Sequence, residues 1–276
     1  MESKPPLAAT RCGNTEFRWG ERTYIMGVLN LSPDSFSGDG LGDDMGAILD
    51  RARQMVTDGA DILDIGGEST RPGSDALPAE EELRRVIPAI QRLAGEIAVP
   101  ISIDTYKSEV AALALKAGAS IINDIWGLKH DPGLARAAAE AGVPIILMSN
   151  QRDSPEPYDI IKEVISSLSE SIKLAVKSGV GAENIIIDPG IGFGKSPGQN
   201  MEIIRRLAEL KALGKPILLG TSRKFGSGRT PDKRLEETAA TVAIGIANGA
   251  DIVRVHDISQ MARVVKMSDA VTRRKN

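Results

Sequence analysis

Eight times along this chain, a short run of apolar, often β-branched residues stops at a polar residue and leads through turn residues into a helix-like stretch. The clearest run is residues 185–187, three isoleucines that end at Asp188 and open into the glycine-rich segment 189–196. The other runs are residues 24–29, 62–63, 101–103, 121–122, 145–147, 217–219 and 252–255. Eight strand–helix units in 276 residues predict an α/β fold, a single (β/α)8 TIM barrel whose active site lies where the strands end.

Length and composition agree with one barrel. A chain of this size is commonly one domain in this class, and 42% apolar residues with only 3% aromatics suit an interior of Val, Ile, Leu and Ala. We expect a flexible N-terminal segment at residues 1–13 and the catalytic barrel domain at residues 14–276. Gly20-Glu21, between residues 17–19 and 22–24, predicts an N-terminal β-hairpin that would plug the bottom of the barrel.

Charge and cysteine content narrow the possible partners. A net charge of −3 and a pI of about 5.6 argue against a nucleic-acid or anionic-membrane partner. Cys12 is the single cysteine, which excludes an internal disulfide and a cysteine-based metal cluster and favours a cytoplasmic location. Because the N-terminus leads into no long apolar region, we expect neither a signal peptide nor a transmembrane segment.

Three segments after the apolar runs are too long for simple connections. They are residues 30–40, 66–78 and 189–197. Long loops at the catalytic rim of a barrel are usually lids or binding loops. Phe36 and Phe193 would supply the apolar contacts that keep water out of a site between them.

Polar side chains end three of the runs and would converge over the barrel mouth. They are Asp104, Asn123 and Asp188. Two carboxylates and an amide suit a flat heterocycle better than zinc, because a carboxylate accepts two parallel hydrogen bonds from an N–C–NH2 edge. Each residue alone could instead cap the following helix. Three such residues at the rim together favour a binding site.

Cationic residues follow the last two runs. They are Ser222-Arg223-Lys224 and the pair Arg254 and His256. The loops after the last two strands of a barrel are a common phosphate-binding location. Arg254 and His256 alternate along a strand, so both point to one face, where they could clamp a diphosphate. A lone histidine is more often structural, an alternative that fits His130 better than His256.

Two short patterns near residue 190 are misleading. Residues 190–194 do not form G-x-G-x-x-G, so they do not indicate a dinucleotide site. Gly194-Lys195-Ser196 looks like the end of a P-loop, but Pro189 stands where the first glycine is required. Proline lacks the N–H that such a phosphate cradle uses.

Two longer segments resemble the signatures of a known family. MGVLNLSPDSFS at residues 26–37 and DIGGESTRPG at residues 64–73 are similar to the two signatures of the dihydropteroate synthases, the sulfonamide targets of folate biosynthesis. Shorter matches follow in family order at residues 103–105, 123–124, 188–195, 222–224 and 254–257, so the resemblance covers about residues 14–270. It implies a (β/α)8 fold, a homodimer and a requirement for Mg2+. The implied reaction condenses 6-hydroxymethyl-7,8-dihydropterin diphosphate with 4-aminobenzoate to give 7,8-dihydropteroate and diphosphate.

The resemblance also implies roles for individual residues. The implied pterin contacts are Asp104, Asn123, Met148, Asp188 and Lys224. The implied diphosphate site is Asn30, Arg254 and His256, with Asn30 as the Mg2+ ligand. The aminobenzoate site corresponds to Thr70, Pro72, Phe193 and Ser222. The implied catalytic residues are Asp34 and Arg71, in two mobile loops of the family, together with Lys224, Arg254 and His256.

These residue types favour a dissociative substitution. The arylamine of aminobenzoate is weakly basic and needs no strong general base, so the slow part is cleavage of the C–O bond at the pterin methylene. Mg2+, Arg254 and His256 would stabilise the departing diphosphate. Asp104 and Asp188 would favour the positive charge that develops on the pterin.

Two departures from the family pattern touch the site. Ser149 follows Met148 where the family often has histidine, and the segment 225–233 is shorter and more polar than usual. Two other functions compete with the synthase. A pterin-binding methyltransferase would lack the first signature and the Ser-Arg-Lys motif, whereas a non-catalytic pterin-binding paralogue would keep the binding residues without turnover.

One predicted helix lacks a polar face. Residues 239–247, after Glu236-Glu237, are nearly all small and apolar. A surface helix normally keeps one polar side. We therefore expect this helix and the following one, residues 258–271, to be buried against a second copy of the chain in a symmetric homodimer.

Overall fold

The computed structural model describes residues 7–32, 44–68, 76–152, 158–226, 230 and 234–273. The strands in these ranges are β1 (Thr10–Cys12), β2 (Thr15–Phe17), β3 (Tyr24–Asn30), β4 (Ile62–Gly66), β5 (Ile101–Asp104), β6 (Ile121–Asp124), β7 (Ile145–Met148), β8 (Ile185–Asp188), β9 (Leu218–Leu219) and β10 (Ile252–Val255). The α-helices are α1 (Met45–Thr57), α2 (Ala79–Ala94), α3 (Ser108–Ala117), α4 (Gly133–Ala141), α5 (Ile160–Lys177), α6 (Pro197–Arg205), α7 (Leu235–Ala247) and α8 (Ile258–Thr272). Two 3-10 helices, Ala182–Asn184 and Leu207–Leu213, precede β8 and β9.

Eight parallel strands form the barrel. Their order around the sheet is β8-β7-β6-β5-β4-β3-β10-β9. A parallel bridge between Ile187 in β8 and Ile217, just before β9, joins the two ends of this order and closes the ring. The predicted (β/α)8 fold is confirmed, and each of the eight apolar runs contributes one strand. Some boundaries differ: β4 continues two residues beyond Asp64 to Gly66, β6 continues to Asp124, and β9 begins at Leu218 instead of Ile217.

The barrel interior has an apolar floor and a polar mouth. Side chains alternate along a strand, so every second residue points inward. The inward residues near the strand starts form one apolar cluster: Met26, Ile62, Ile121, Ile146, Ile186, Leu218 and Ile252. Two residues further along the strands, the corresponding positions are Asp64, Asn123, Met148, Asp188 and Arg254. The fold therefore gathers charged and polar side chains above an apolar base.

A β-hairpin closes the bottom of the barrel, as predicted, but its position was predicted wrongly. The hairpin pairs β1 with β2 around the two-residue turn Gly13-Asn14, and Gly20 lies in the turn that follows it. Gly13 has a φ of +57°, which two-residue hairpin turns need and glycine adopts freely. Phe17 and Trp19 then pack against the apolar floor. The expected domain boundary after residue 13 falls inside this turn.

The outer helices cover the barrel with apolar faces. In α2 the predicted stripe is present, with Val86, Ile90 and Leu93 fully buried and Leu83 and Ile87 packed at the edge of the same core. In the part of the chain that the structure describes, no helix is both long and apolar enough to cross a membrane.

Candidate active site

Arg254 links two carboxylates across the barrel mouth. Its Nε donates to Asp64 Oδ2 at 2.6 Å and its Nη2 to Asp104 Oδ2 at 2.7 Å. Asn123 Nδ2 donates to the same Asp64 oxygen at 3.1 Å. Asp104 is the last residue of β5, Asn123 and Arg254 are next to last in β6 and β10, and Asp64 is the third residue of β4, so polar side chains of four strands meet at the mouth. Charge-assisted bonds of this kind fix orientation as well as adding energy.

Two carboxylate oxygens in this network have no hydrogen-bond partner among the described residues. Asp64 Oδ1 and Asp104 Oδ1 are both buried, and no described residue donates a hydrogen bond to either. Asp64 is fully buried and the Asp104 side chain is 9% exposed. A buried acceptor without a donor is destabilising and uncommon in folded proteins. Both oxygens are therefore suited to receive N–H donors from a bound molecule.

The electrostatics of the network are unusual. Burial raises the pKa of Asp104 to about 7, against the opposing charge of Arg254 and with the help of Asp64. Burial also disfavours the charge of Arg254, but the carboxylates of Asp64 and Asp104 outweigh this and raise the pKa of Arg254. The mouth thus contains one permanent cation and one carboxyl group that titrates near neutrality.

Asp188 and Lys224 lie on the other side of the mouth. Asp188 Oδ1 accepts from Gly190 N at 2.7 Å, and burial raises the pKa of Asp188 although Lys224 opposes this. Lys224 Nζ donates to Ile191 O at 2.7 Å and lies 4.7 Å from the centre of the Phe193 ring. Desolvation by the surrounding protein lowers the pKa of Lys224 to about 8, an effect that solvent weakens because the residue is exposed at the mouth. A carboxyl group, an amine and an aromatic ring are thus close together.

Ser222 and His256 form a pair between the loops after β9 and β10. Ser222 Oγ is 2.9 Å from His256 Nδ1, and the backbone N–H of His256 donates to the same hydroxyl at 3.2 Å. Arg254 is directed instead to Asp64 and Asp104. The expected clamp of Arg254 and His256 on a diphosphate stays a prediction, since Arg254 contacts Asp64 and Asp104 whereas His256 contacts Ser222.

The remaining predicted site residues differ in how they are placed. Met148 ends β7 and is 3% exposed beside the polar mouth. Asn30 ends β3 half-buried, and its Oδ1 accepts from Ser32 N at 3.3 Å. The predicted site residues that lie outside the described ranges are Asp34, Thr70, Arg71 and Pro72.

The two departures from the family pattern, Ser149 and the segment 225–233, follow β7 and β9 along the chain. Ser149 is buried, and its hydroxyl accepts from Gln151 Nε2 at 3.1 Å, so this side chain bonds within its own loop. Phe225 packs against the apolar cluster between α5 and α6. Residues 227–229 and 231–233 of the second segment lie outside the described ranges.

The alternative that Asp104, Asn123 and Asp188 cap the following helices is wrong. Within the described chain, the helices after β5, β6 and β8 have Lys107, Pro132 and Ser196 as their N-caps. Aspartates do cap helices elsewhere, at Asp44 before α1. The rim carboxylates are therefore available to the site.

Sequence reasoning missed two residues. Asp64 follows the apolar run 62–63 and has no predicted role, although it accepts hydrogen bonds from Arg254 and Asn123. The sequence does contain a signal, since Ile62 and Asp64 share the inward face of β4. Lys195 belongs to the rejected P-loop pattern, yet it is buried beside the site.

Comparison with known proteins places this geometry in a family. A family model described as pterin binding enzyme matches residues 26–256. A dihydropteroate synthase of Bacillus subtilis (strain 168) is 52% identical over 255 residues, which cover 91% of this chain and 89% of that relative.

Two solved structures are similar throughout. A dihydropteroate synthase from Clostridium difficile, determined in the presence of pteroic acid, is 48% identical with a TM-score of 0.88, covering 94% of this chain and 100% of that one. A dihydropteroate synthase from Xanthomonas albilineans in complex with 7,8-dihydropteroate is 36% identical with a TM-score of 0.86, covering 97% and 100% of the two chains.

Proposed function

The chain belongs to the family of pterin-binding enzymes, and we infer that it catalyses the dihydropteroate synthase reaction. It condenses 6-hydroxymethyl-7,8-dihydropterin diphosphate with 4-aminobenzoate, which gives 7,8-dihydropteroate and releases diphosphate. The chain covers 89% of the Bacillus subtilis synthase and all of the Clostridium difficile one. A pterin-binding methyltransferase is disfavoured because the first synthase signature, residues 26–37, and the motif Ser222-Arg223-Lys224 are both present.

The pair of buried, unpaired oxygens on Asp64 and Asp104 is the observation that carries this function. A pterin presents ring N–H and amino groups along one edge, which are the donors that these acceptors lack. We propose that Asp104, Asn123 and Asp188 hold the pterin, with Lys224 at its edge and Met148 against the ring. In support, the described members of this set surround one mouth above an apolar floor.

The diphosphate would lie on the cationic side of the mouth. Arg254 uses Nε and Nη2 on its two carboxylates, so Nη1 is available among the described residues to meet a phosphate oxygen. His256 and Asn30 complete the proposed diphosphate site. Ser222, Phe193 and the loop residues Thr70 and Pro72 are proposed for aminobenzoate, and Asp34 and Arg71 for catalysis from the loops after β3 and β4.

The proposed chemistry is a dissociative substitution at the pterin methylene. The C–O bond breaks first, and its electron pair leaves with the diphosphate. The amine nitrogen of aminobenzoate then bonds to the methylene carbon and releases one proton. Asp104 and Asp188 stabilise the positive charge on the pterin, while Arg254 and His256 stabilise the leaving group. No strong general base is required.

We propose that Mg2+ accompanies the diphosphate. Among the described residues, no group of three or more His, Cys, Asp or Glu side chains could hold a metal. Asn30 nevertheless offers a half-buried amide oxygen at the mouth, and Mg2+ needs few protein ligands when a diphosphate and water supply the others. The residues therefore fit an ion that arrives with the substrate, with Asn30 as its protein ligand. When bound, such an ion would neutralise charge on the leaving group.

We propose a homodimer formed through α7 and α8. These helices pack side by side, and Ile244, Met267 and Val271 are large apolar side chains exposed on them. Exposed apolar groups on neighbouring helices suit a protein interface. We also propose a cytoplasmic location, in keeping with the single, buried and unpaired Cys12.

The experiment that tests this function measures product. Purified protein, Mg2+ and both substrates are incubated, and 7,8-dihydropteroate is measured by mass spectrometry. The synthase reading predicts product that depends on both substrates and on His256, tested by His256→Ala. Pterin binding without product would identify a non-catalytic paralogue and refute the proposal.

A further inference from the structure

Lys195 is a buried lysine whose Nζ, among the described residues, is bound to backbone oxygens alone. Its Nζ donates to Ser149 O at 2.7 Å, to Gly190 O at 3.0 Å and to Phe193 O at 3.2 Å. The residue is 9% exposed, and within the described chain no carboxylate forms an ion pair with it. An ammonium has three donors, and all three are used. This lysine is therefore not available to bind a phosphate.

The three carbonyls belong to two different loops. Ser149 follows β7, whereas Gly190 and Phe193 follow β8. The loops also touch directly, since Ser149 N donates to Asp188 O at 2.9 Å and Gln151 N to Phe193 O at 3.2 Å. Lys195 thus fastens the loop after β8 onto the loop after β7.

Glycines make this close approach possible. A side chain at Gly190 would collide with Ser149 O, and one at Gly194 would collide with the backbone between Gln151 and Arg152. Both glycines also have positive φ, +72° and +69°. The segment is built so that two backbones meet with the lysine ammonium between them.

Ionisation of this lysine is opposed by its surroundings. Burial lowers the pKa of Lys195 to about 7; Asp188 favours the charge, and Lys224 and Lys129 oppose it. A methionine has nearly the same length and would fill the space without this opposition. The presence of a lysine here, instead of an apolar residue of similar length, is therefore best explained by its hydrogen bonds to the three carbonyls.

The fastened loop carries a ring of the proposed site. Phe193 lies between two cations, with Lys224 Nζ at 4.7 Å and Arg152 Cζ at 4.6 Å from its ring centre. Ile191 O in the same loop accepts the hydrogen bond from Lys224. The position of this loop therefore determines the positions of the Phe193 ring and of the Lys224 amine, which is proposed to contact the pterin.

We propose that Lys195 is a positioning residue for the aminobenzoate step: it holds the backbone of Phe193 so that the ring forms one wall of that subsite. The inference rests on the proposed function, in which Phe193 contacts aminobenzoate. It assigns to Lys195 no contact with either substrate. It predicts that the effect of Lys195 passes through Phe193.

The kinetic test is a double-mutant cycle. Lys195→Met removes hydrogen bonds worth about 1 kcal/mol each, so it should raise the KM for aminobenzoate roughly tenfold or more and the KM for the pterin diphosphate much less. Phe193→Ala should raise the same KM, and the double variant should be no worse than Phe193→Ala alone. Three results would each overturn the proposal. The effects of the two substitutions on the KM for aminobenzoate could multiply in the double variant, both KM values could change equally, or Phe193→Ala could leave the KM for aminobenzoate unchanged.

A second readout does not depend on turnover. The amide N–H groups of Gln151 and Phe193 take part in bonds between or within the two loops, to Phe193 O and Gly190 O. Lys195→Met should speed hydrogen exchange at both amides. Unchanged exchange would refute the claim that Lys195 fastens the two loops together, even if the protein proved inactive. If wild type made no dihydropteroate while exchange changed as expected, the proposed function would fail and the fastening of the two loops would be supported.

A matched control and a milder variant complete the design. Lys215 also donates to a backbone oxygen, Ala182 O at 2.6 Å, at the other end of the barrel. Lys215→Met should leave both KM values and both amides unchanged. Should Lys195→Met fail to fold, Lys195→Gln keeps two N–H donors and should give an intermediate rise in the KM for aminobenzoate; a wild-type value in a folded Lys195→Gln protein would contradict the proposal.

Discussion

Replacement of Asp104 by asparagine should weaken binding of the dihydropterin diphosphate by roughly tenfold to a hundredfold. Asp104 Oδ2 holds Arg254 at 2.7 Å, and its Oδ1 is the unpaired acceptor proposed to receive the pterin. The variant loses one charge-assisted hydrogen bond in a buried site, worth about 1.5–3 kcal/mol. Each 1.4 kcal/mol corresponds to a tenfold change in the dissociation constant.

Calorimetry at pH 8 measures this effect directly. Asp61→Asn is the matched control, because Asp61 pairs with Arg22 and accepts from Ile25 N at the opposite end of the barrel. The control should bind like wild type. Wild-type affinity of a folded Asp104→Asn protein would refute the assignment of Asp104 to the pterin.

The pH dependence of the same variant provides a further check. Since the pKa of Asp104 is about 7, the carboxylate becomes protonated as the pH falls through 7, and wild-type affinity should fall with it. Asp104→Asn should show a flatter profile. The folded-state pKa lies above the unfolded value of 3.8, so this group stabilises the fold at low pH. That stabilisation should be lost as the pH rises from 3.8 to about 7. The difference in unfolding free energy between wild type and Asp104→Asn, measured by denaturation across this pH range, would show the loss.

Three more perturbations follow from the structure. Arg254→Lys keeps the charge but loses the two-pronged guanidinium that reaches both Asp64 and Asp104. In steady-state kinetics kcat should therefore fall by roughly tenfold or more, while the affinity for bare pterin, measured by calorimetry, should change less. Equal decreases in kcat and in pterin affinity would contradict this. Asp124→Ala leaves the buried N–H of Leu128 without its acceptor and should lower the free energy of unfolding by about 1–3 kcal/mol in urea titrations. An unchanged midpoint of urea unfolding would contradict this prediction. Ile244→Lys on α7 should give monomers by light scattering at micromolar concentration, and a persistent dimer would place the interface elsewhere.

The fold was predictable because the strands carry a strong local signal. β-Branched runs such as residues 185–187 mark strands that are buried on both faces, and their regular alternation with helices leaves few arrangements. The hairpin was harder, since both Gly13-Asn14 and Gly20-Glu21 are reasonable turns. Only the pairing of Cys12 with Thr15 distinguishes them, and pairing depends on packing against the barrel floor.

The site was predictable in its membership but not in its bonding. Asp104, Asn123 and Asp188 stand at strand ends, where the barrel fold itself directs them to the mouth. The role of Asp64 is not evident from the sequence, because the residue lies two positions before the end of β4 and its partners Arg254 and Asn123 are far away along the chain. The partners of Arg254 come from β4 and β5, far away in sequence, so no local pattern indicates them.

Lys195 illustrates the same limit. A lysine in a glycine-rich loop suggests a solvated or phosphate-binding group, whereas its three acceptors become neighbours only when two loops pack together. The glycines that allow this packing can be recognised in the sequence. The sequence does not indicate that the amine of Lys195 lies between the two backbones.

The most direct test of the central claim is the stoichiometry of diphosphate release. Wild-type protein is supplied with 6-hydroxymethyl-7,8-dihydropterin diphosphate and Mg2+, and released diphosphate and 7,8-dihydropteroate are measured with and without 4-aminobenzoate. The account predicts one diphosphate for each dihydropteroate when aminobenzoate is present, and a sharp drop in release without it. Tight pterin binding with no diphosphate released in the presence of aminobenzoate would contradict it.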